Sequence, residues 1–361
     1  IMEVLLASGC RLAEPGEFTK RAYLNGRINL LEAESVNDLI IAKTDAARTL
    51  AINNVDGKLT KQISNLREKI AKILANIEVN IDYPEYTDEL EVTKDLMHGY
   101  LDEINKELLK LVNGSKNGRI IKNGVNVAII GKPNVGKSSI LNSLLDEEKA
   151  IVTNIPGTTR DIVEGSITLN GVAINLIDTA GIRKTDDVVE SIGVNKAKKL
   201  AEIADLVIYV VDSSRVLDDN DYEIMELIKD KKVLVILNKA DLAQVTTAED
   251  IKKIINCETV TISAKQETGI EELEETVKSM FFNGEVKFNE DVYITSTRHK
   301  ELLKKAEDSL KLVLDGIDNM VSEDFLTIDL MAAYENLGLI IGEEIEDDLA
   351  NRIFSKFCMG K

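Results

Sequence analysis

Residues 125–145 read VNVAIIGKPNVGKSSILNSLL. An aliphatic, strand-like run ends on Gly131, and the loop that follows closes on Gly136-Lys137-Ser138. A helical pattern starts at once. The G-x-x-x-x-G-K-[ST] form in this strand–loop–helix context constrains the fold strongly. Its glycines let backbone N–H groups curl around a phosphate, and the helix N-terminus adds partial positive charge behind them. Lys137 is placed to reach β- and γ-phosphates, and Ser138 to ligate magnesium.

The texture around this loop predicts the rest of the unit. Between Val125 and about Phe282, short β-branched runs alternate with helical patterns: VNVAII, DIVEGSITL, VAINLID, ADLVIYVVD, KVLVILN and TVTIS. That alternation implies a mostly parallel six-stranded sheet covered on both faces. SITL and VAIN are separated by Asn170-Gly171, a two-residue hairpin signal, which predicts one antiparallel edge strand. On either side the chain is helical. ISNLREKIAKILANIEVNI places Ile63, Leu66, Ile70, Ile73, Leu74 and Ile77 on one stripe, a bundle helix broken at DYPEY. NGSKNGRIIKNG, with its three glycines, reads as a linker. The expectation is an α/β domain inserted into a discontinuous all-α domain. The segments are 27–120 (first helical), 121–284 (inserted) and 285–361 (second helical).

The chain has 361 residues and a formal net charge of −19, which argues against a general nucleic-acid coat. Cys10, Cys257 and Cys358 are far apart and form no C-x-x-C pair, so neither a disulfide framework nor a zinc site is expected. His98 and His299 form no ligand cluster. No apolar run reaches the length of a membrane span. A reducing cytoplasm is the expected setting. Ile1-Met2-Glu3 enters a helical pattern directly, which reads as a fragment whose N-terminal part has been removed.

Three further motifs sit at strand ends. Asp178-Thr179-Ala180-Gly181 follows VAINLI; Asp178 can hold the magnesium shell, and the Gly181 N–H can meet the γ-phosphate. Asn238-Lys239-Ala240-Asp241 ends KVLVILN, and the Asp241 carboxylate can accept two hydrogen bonds from a guanine edge. A mismatch there discriminates by about 10⁴. Ser263-Ala264-Lys265 ends TVTIS and can cover the base. Ligands of open α/β sheets lie at such C-terminal strand ends. Together these motifs resemble the Ras-like GTPase superfamily in its translation-factor-related branch, which implies GTP, magnesium and hydrolysis to GDP. The nucleotide contacts expected are Asn134, Val135, Gly136, Lys137, Ser138 and Ser139 in the loop. Thr153, Asn154, Ile155, Pro156, Gly157, Thr158 and Thr159 form a switch segment in which Thr159 closes on magnesium. Where Ras carries glutamine after its D-T-A-G motif, this chain has Ile182, which can neither orient a water nor supply charge. Asn134 can bring an oxygen ligand to a monovalent cation. Glu190 is either a water-orienting carboxylate or part of a solvated acidic loop.

The flanks extend the resemblance to the whole chain. GCRLAEPGEFTKRAYLNGRINLLEAESVNDLI near the start and RIFSKFCMGK at the end look like the tRNA-modification GTPase family MnmE, also called TrmE. The resemblance implies that residues 1–26 are the tail of an N-terminal folate-binding and dimerisation domain. It implies a GTPase that installs a carboxymethylaminomethyl group on the wobble uridine of certain tRNAs. The work is shared with an FAD-containing partner, MnmG (GidA), and uses a one-carbon unit from a tetrahydrofolate derivative. It further implies potassium held by Asn134, Thr153, Ile155 and Thr158, and Glu190 as the water-orienting residue. Homodimers would form through the G domains and the N-terminal domain. Arg27 and Lys361 would be folate contacts, with Cys358 as nucleophile or acid–base group. The competing expectation is a GTP-gated ribosome-assembly switch of the Era or Der type. Those carry a basic RNA-binding domain or a second G domain, whereas here GEEIEDDLANRIF is acidic and one set of G motifs is present. A hydrogenase-maturation GTPase of the HydF type needs a cysteine cluster that Cys358 alone does not supply.

Overall fold

The computed structural model describes residues 1–82, 94–144, 163–169, 172–177, 194–282, 293–343, 353–355 and 357. The chain divides into two compact units. One joins Ile1–Lys122 with Lys287–Lys361, and the other is Asn123–Val286.

The first segment of the helical unit holds α1 (Met2–Ala7), α2 (Glu17–Leu24), α3 (Leu30–Ile41), α4 (Asp45–Val55), α5 (Lys58–Asp82) and α6 (Lys94–Asn123). Local sequence sets the starts. Asn29 opens α3 with a capping box: its Oδ1 accepts from the Glu32 N–H at 2.8 Å, and Glu32 Oε2 accepts from the Asn29 N–H at 3.1 Å. Thr44 caps α4 by accepting from the Ala47 N–H at 3.1 Å. The stripe Ile63, Leu66, Ile70, Ile73, Leu74 and Ile77 is buried against Leu101, Ile104 and Leu108 of α6, as its spacing predicts.

The inserted unit runs β1 (Val125–Gly131), α7 (Lys137–Leu144), β2 (Val163–Leu169), β3 (Val172–Ile177), α8 (Val194–Ile203), β4 (Leu206–Asp212), α9 (Asp219–Ile228), β5 (Val233–Asn238), α10 (Ala248–Lys252), β6 (Glu258–Thr261) and α11 (Ile270–Phe282). The sheet order is β2-β3-β1-β4-β5-β6. Only β2 is antiparallel, paired to β3 through Ile167↔Ile174 and Leu169↔Val172, so the hairpin edge predicted from Asn170-Gly171 is present. The turn itself lies outside the described residues. β4 and β5 are buried along their whole length, which is why they read as continuous aliphatic runs. The parallel register sets Gly131 beside Val210 and Asp212 beside Asn238. The C-terminal ends of β1, β4 and β5 therefore open on one edge.

The chain returns to the helical unit through Tyr293 and Ile294, then α12 (Thr297–Asp318) and α13 (Glu323–Ile341). Leu303, Leu310 and Val313 meet Leu330, Ala333 and Leu337 in the same core as α5 and α6. A separate small cluster packs Phe354 and Phe357 on Leu30 and Ala33, with the two Phe rings 5.2 Å apart. The residues expected to form a linker, 113–124, are instead the last turns of α6 as far as Asn123. The glycines there serve packing rather than chain breaking. A Cβ on Gly118 would sit 2.2 Å from the Ile294 carbonyl oxygen, whereas one on Gly114 meets only the edge of Tyr293, at 3.3 Å.

Gly118→Ala is expected to destabilise the helical unit by about 2–3 kcal/mol through overpacking against backbone. Gly114→Ala is expected to stay within about 1 kcal/mol of wild type, because helix propensity favours alanine. Urea unfolding followed by circular dichroism checks this, and equal losses at the two positions would refute the packing account.

Candidate active site

Past β1 the backbone turns through two left-handed residues, Asn134 (φ 61°) and Gly136 (φ 98°). At Gly136 the turn tolerates no side chain, since a Cβ would fall 2.1 Å from Asn238 Nδ2. Val135 between them is buried, and Ile140 and Leu141 bury the inner face of α7. Asn134, Ser138 and Ser139 are exposed. Lys137 Nζ donates to the carbonyl oxygens of Gly131 at 2.8 Å and Lys132 at 2.6 Å, which holds the ammonium across the loop. Burial lowers its pKa to about 8, because a desolvated ammonium prefers to lose its proton. An anionic phosphate reverses that preference.

The other side of the candidate site is assembled by Asn238, which is 2% exposed at the end of β5. Its Nδ2 donates to the Val135 carbonyl at 2.8 Å, and its Oδ1 accepts from the Ala264 N–H at 3.2 Å. One amide thus ties the phosphate loop to the loops after β5 and β6. Lys239, also left-handed (φ 65°), sends Nζ to Asp212 Oδ2 at 2.7 Å. Burial pushes Asp212 up, but hydrogen bonds from Lys239 and Ser214 outweigh it and hold the carboxyl below its usual range. The Ala240 N–H donates to the Ile262 carbonyl at 3.1 Å. Ser263, 1% exposed, donates its hydroxyl to Asp241 Oδ1 at 2.8 Å, which aims the carboxylate. Lys265 is exposed.

Sequence reasoning missed a second layer. Lys132 Nζ pairs with Asp218 at 2.7 Å and Asp221 at 2.5 Å. Tyr209 donates its hydroxyl to the other oxygen of Asp221 at 2.7 Å. This fastens the phosphate loop to the start of α9. Asp212 was visible as the last residue of the strand run ADLVIYVVD, a further polar strand end. Tyr209 and Asp221 carried no local signal.

The expected residues Thr153, Asn154, Ile155, Pro156, Gly157, Thr158, Thr159, Asp178, Thr179, Ala180, Gly181, Glu190, Cys358 and Lys361 lie outside the described residues. Ser138 is the described member of the expected magnesium set. Its hydroxyl sits at the first turn of α7 beside Lys137, an oxygen donor suited to a hard cation. Among the described residues no cluster of His, Cys, Asp and Glu could hold a metal ion by itself. Nor is any helix among them long and apolar enough to cross a membrane. Arg27, in the helical unit, is exposed just past α2, and its N–H donates to the Ala22 carbonyl at 2.9 Å.

With this geometry in place, comparison with known proteins is decisive. A model of the MnmE helical domain matches residues 30–358, and a model of the N-terminus of the GTP-binding protein TrmE matches residues 1–27. The tRNA modification GTPase MnmE of Lachnoclostridium phytofermentans is 48% identical over 361 residues, covering 100% of this chain and 79% of that protein. The chain belongs to the MnmE family of tRNA modification GTPases. The MnmE of Bacillus subtilis is 44% identical over 362 residues, with 100% of this chain and 79% of that protein covered. Among solved structures, the G domain of the T. maritima FeoB iron transporter is 32% identical, covering 43% of this chain and 98% of that one with a TM-score of 0.32. The MnmE assignment does not rest on it. The site described above therefore lies in the G domain of an MnmE-family chain.

Because Lys137 holds its proton only up to about pH 8 and phosphate binding needs the charged form, affinity for GDP is expected to fall as pH rises. From about pH 7 to pH 8.8 the loss should be roughly sixfold, following the fraction of charged lysine. Fluorescent-nucleotide titration at several pH values checks this; an affinity flat to pH 8.8 would refute it.

Proposed function

We propose that this chain is a potassium-stimulated, dimerisation-activated GTPase that drives uridine modification at the wobble position of certain tRNAs. Its partner in that work is an FAD-containing protein of the MnmG (GidA) type, and a tetrahydrofolate derivative is the one-carbon donor. The product carries a carboxymethylaminomethyl group. What carries the reading is the match to MnmE relatives over the whole chain, flanking helical segments included. The setting is the cytoplasm. Residues 1–26 belong to the folate-binding and dimerisation domain, 27–120 and 285–361 to the helical domain, and 121–284 to the G domain.

In this reading Lys137 and the loop N–H groups hold the β- and γ-phosphates. Asp241, aimed by Ser263, reads the guanine edge, and Ala264 and Lys265 cover the base. Magnesium, held through Ser138 and Thr159, neutralises charge on the phosphate oxygens. Asn134 stands exposed at the crest of the loop, where its oxygen, with Thr153, Ile155 and Thr158, suits a monovalent cation. That cation supplies the positive charge that arginine fingers supply elsewhere, an effect worth about 10³–10⁵ in rate. Glu190 orients the attacking water, a role that Ile182 cannot fill. Cys358 acts in the modification chemistry, and Arg27 and Lys361 bind folate.

Two outcomes test the reading. Asp241→Asn exchanges an acceptor for a donor, so hydrolysis and tRNA modification should both switch from GTP to xanthosine triphosphate, by about 10³ or more in relative preference. Modification that still follows GTP would break the link between base reading and uridine chemistry. Replacing sodium by potassium should raise single-turnover hydrolysis at least about tenfold, and Glu190→Ala should abolish the gain while sparing nucleotide affinity. Equal rates in the two salts would exclude the cation role.

A further inference from the structure

The loop after β1 is held on its outer side by charge rather than by packing. A cavity of about 230 Å³ lies there, walled by Pro133 and Val135 of the loop and by Leu217 and Asp218 before α9. Pro133 and Asn134, at the crest, are exposed. Asn134 nevertheless adopts φ 61°, a left-handed conformation that side chains disfavour and that persists only where its surroundings impose it.

Two grips impose it, one on each side of Asn134. After it, the Val135 carbonyl accepts from Asn238 Nδ2 at 2.8 Å. Before it, Lys132 is tied at two points. Its carbonyl accepts from Lys137 Nζ at 2.6 Å, and its own ammonium donates to Asp218 at 2.7 Å and to Asp221 at 2.5 Å. Asp221 is 3% exposed and fixed in turn. One carboxylate oxygen takes Lys132 and, at 3.0 Å, the Asp218 N–H, inside the capping box that opens α9. The other takes the Tyr209 hydroxyl at 2.7 Å, and Tyr209 is buried with Val207 and Val211 of β4 in the core of the sheet. Burial and the bond to Asp221 raise the pKa of that hydroxyl, so it stays a donor. Burial lowers that of Lys132, but the bonds to Asp218 and Asp221 outweigh it, so the ammonium stays charged. A run of charge-assisted bonds thus links the core of the sheet to the residue two before Asn134.

We propose that Asp221 and Tyr209 are positioning residues: acting through Lys132, they fix the crest of the loop and so the place at which Asn134 offers its amide oxygen. Neither belongs to the loop itself. The proposal rests on the functional reading in one respect, that the exposed, neutral oxygen of Asn134 serves a monovalent cation. For a group whose effect lies in where it stands, a displacement of about 1 Å can cost about 10²-fold in rate. The cavity on the outer side leaves room for such a displacement once Lys132 is released.

The test uses the full chain and reads the loop separately from the reaction. Asp221→Asn removes the charge at nearly constant volume, and Lys132→Met removes its partner. In nucleotide-free protein, amide hydrogen exchange across residues 131–140 should quicken at least about fivefold in each variant, with exchange in β5 unchanged. Single-turnover hydrolysis should then need about tenfold more potassium for half-saturation, while affinity for GDP moves by no more than about threefold. The double variant should be no worse than the poorer single one, because both break the same contact. Lys132→Arg keeps a cation within reach of both carboxylates and should stay within about threefold of wild type. Should Asp221→Asn fail to fold, Tyr209→Phe removes one hydroxyl from the same link, and its effects should run in the same direction. Unchanged loop exchange in the folded variants would overturn the proposal, as would additive losses in the double variant or an unchanged potassium requirement. Wild-type rates equal in sodium and potassium would instead refute the functional reading, and loop exchange alone would then decide whether the anchor stands.

Discussion

The G domain depends on what Asn238 does with one side-chain amide. The nitrogen donates into the phosphate loop at Val135, and the oxygen accepts from Ala264 in the loop after β6. With 2% of the residue exposed, water cannot replace either bond, and losing one leaves a buried polar group unpaired at about 1–3 kcal/mol. The other features of the site follow from this clamp. Gly136 has no Cβ because the amide occupies that space. Asp212 lies next to Asn238 because β4 and β5 are in parallel register. Lys239 adopts a left-handed backbone and reaches back to that aspartate. Asp241 then falls within reach of Ser263. A short polar side chain at a strand end thus sets the distance between the loop after β1 and the loop after β6.

Charge management explains how a chain with a net charge of −19 builds a site for an anion. Acidic residues crowd the strand ends, but the central ones are spoken for. Asp212 is held by Lys239 and Ser214, with Arg215 at 3.5 Å. Asp221 is held by Lys132 and Tyr209. What remains to face a phosphate is the helix start, the loop N–H groups and Lys137, whose ammonium donates to the neutral carbonyls of Gly131 and Lys132. A lysine held by carbonyl dipoles, with no carboxylate bonded to it among the described residues, is poised for an anionic ligand.

The strands and nucleotide motifs were legible because each is local. A buried parallel strand is a contiguous aliphatic run, and each motif is a few consecutive residues at its end. What could not be read is what depends on residues far apart in the chain. Lys132, Tyr209 and Asp221 converge from three elements. The groups around a polar cavity of the helical unit come from α3, α4, α6, α12 and the C-terminal segment, so His299, which forms no motif with any neighbour, gave no sign of its unpaired nitrogen. Glycine misled for the same reason. In isolation Gly114 and Gly118 argue against helix, at about 1 kcal/mol each, but Gly118 meets the Ile294 backbone at a distance no side chain allows. Tertiary contact outweighs propensity there.

That contact also explains how the helical unit accommodates an inserted domain. The chain leaves the helical unit just after Lys122 and re-enters it at Lys287, so the two connecting stretches must be brought together from within. Gly118 lets α6 lie against Ile294, and Asp38 completes the junction. One of its oxygens takes Lys122 on the outgoing side, and the other takes Thr295 on the incoming side. A domain whose exit and entry points are adjacent can host an insertion without opening its core. Leu303, Leu310 and Val313 accordingly pack with Ile63, Leu66 and Ile70 in one cluster, although the whole G domain lies between them in sequence. The same carboxylate lines a polar cavity of the helical unit. Asp38 therefore meets two demands, joining the outgoing and incoming stretches and neutralising Lys122 at the cavity wall, which an uncharged side chain could not meet together.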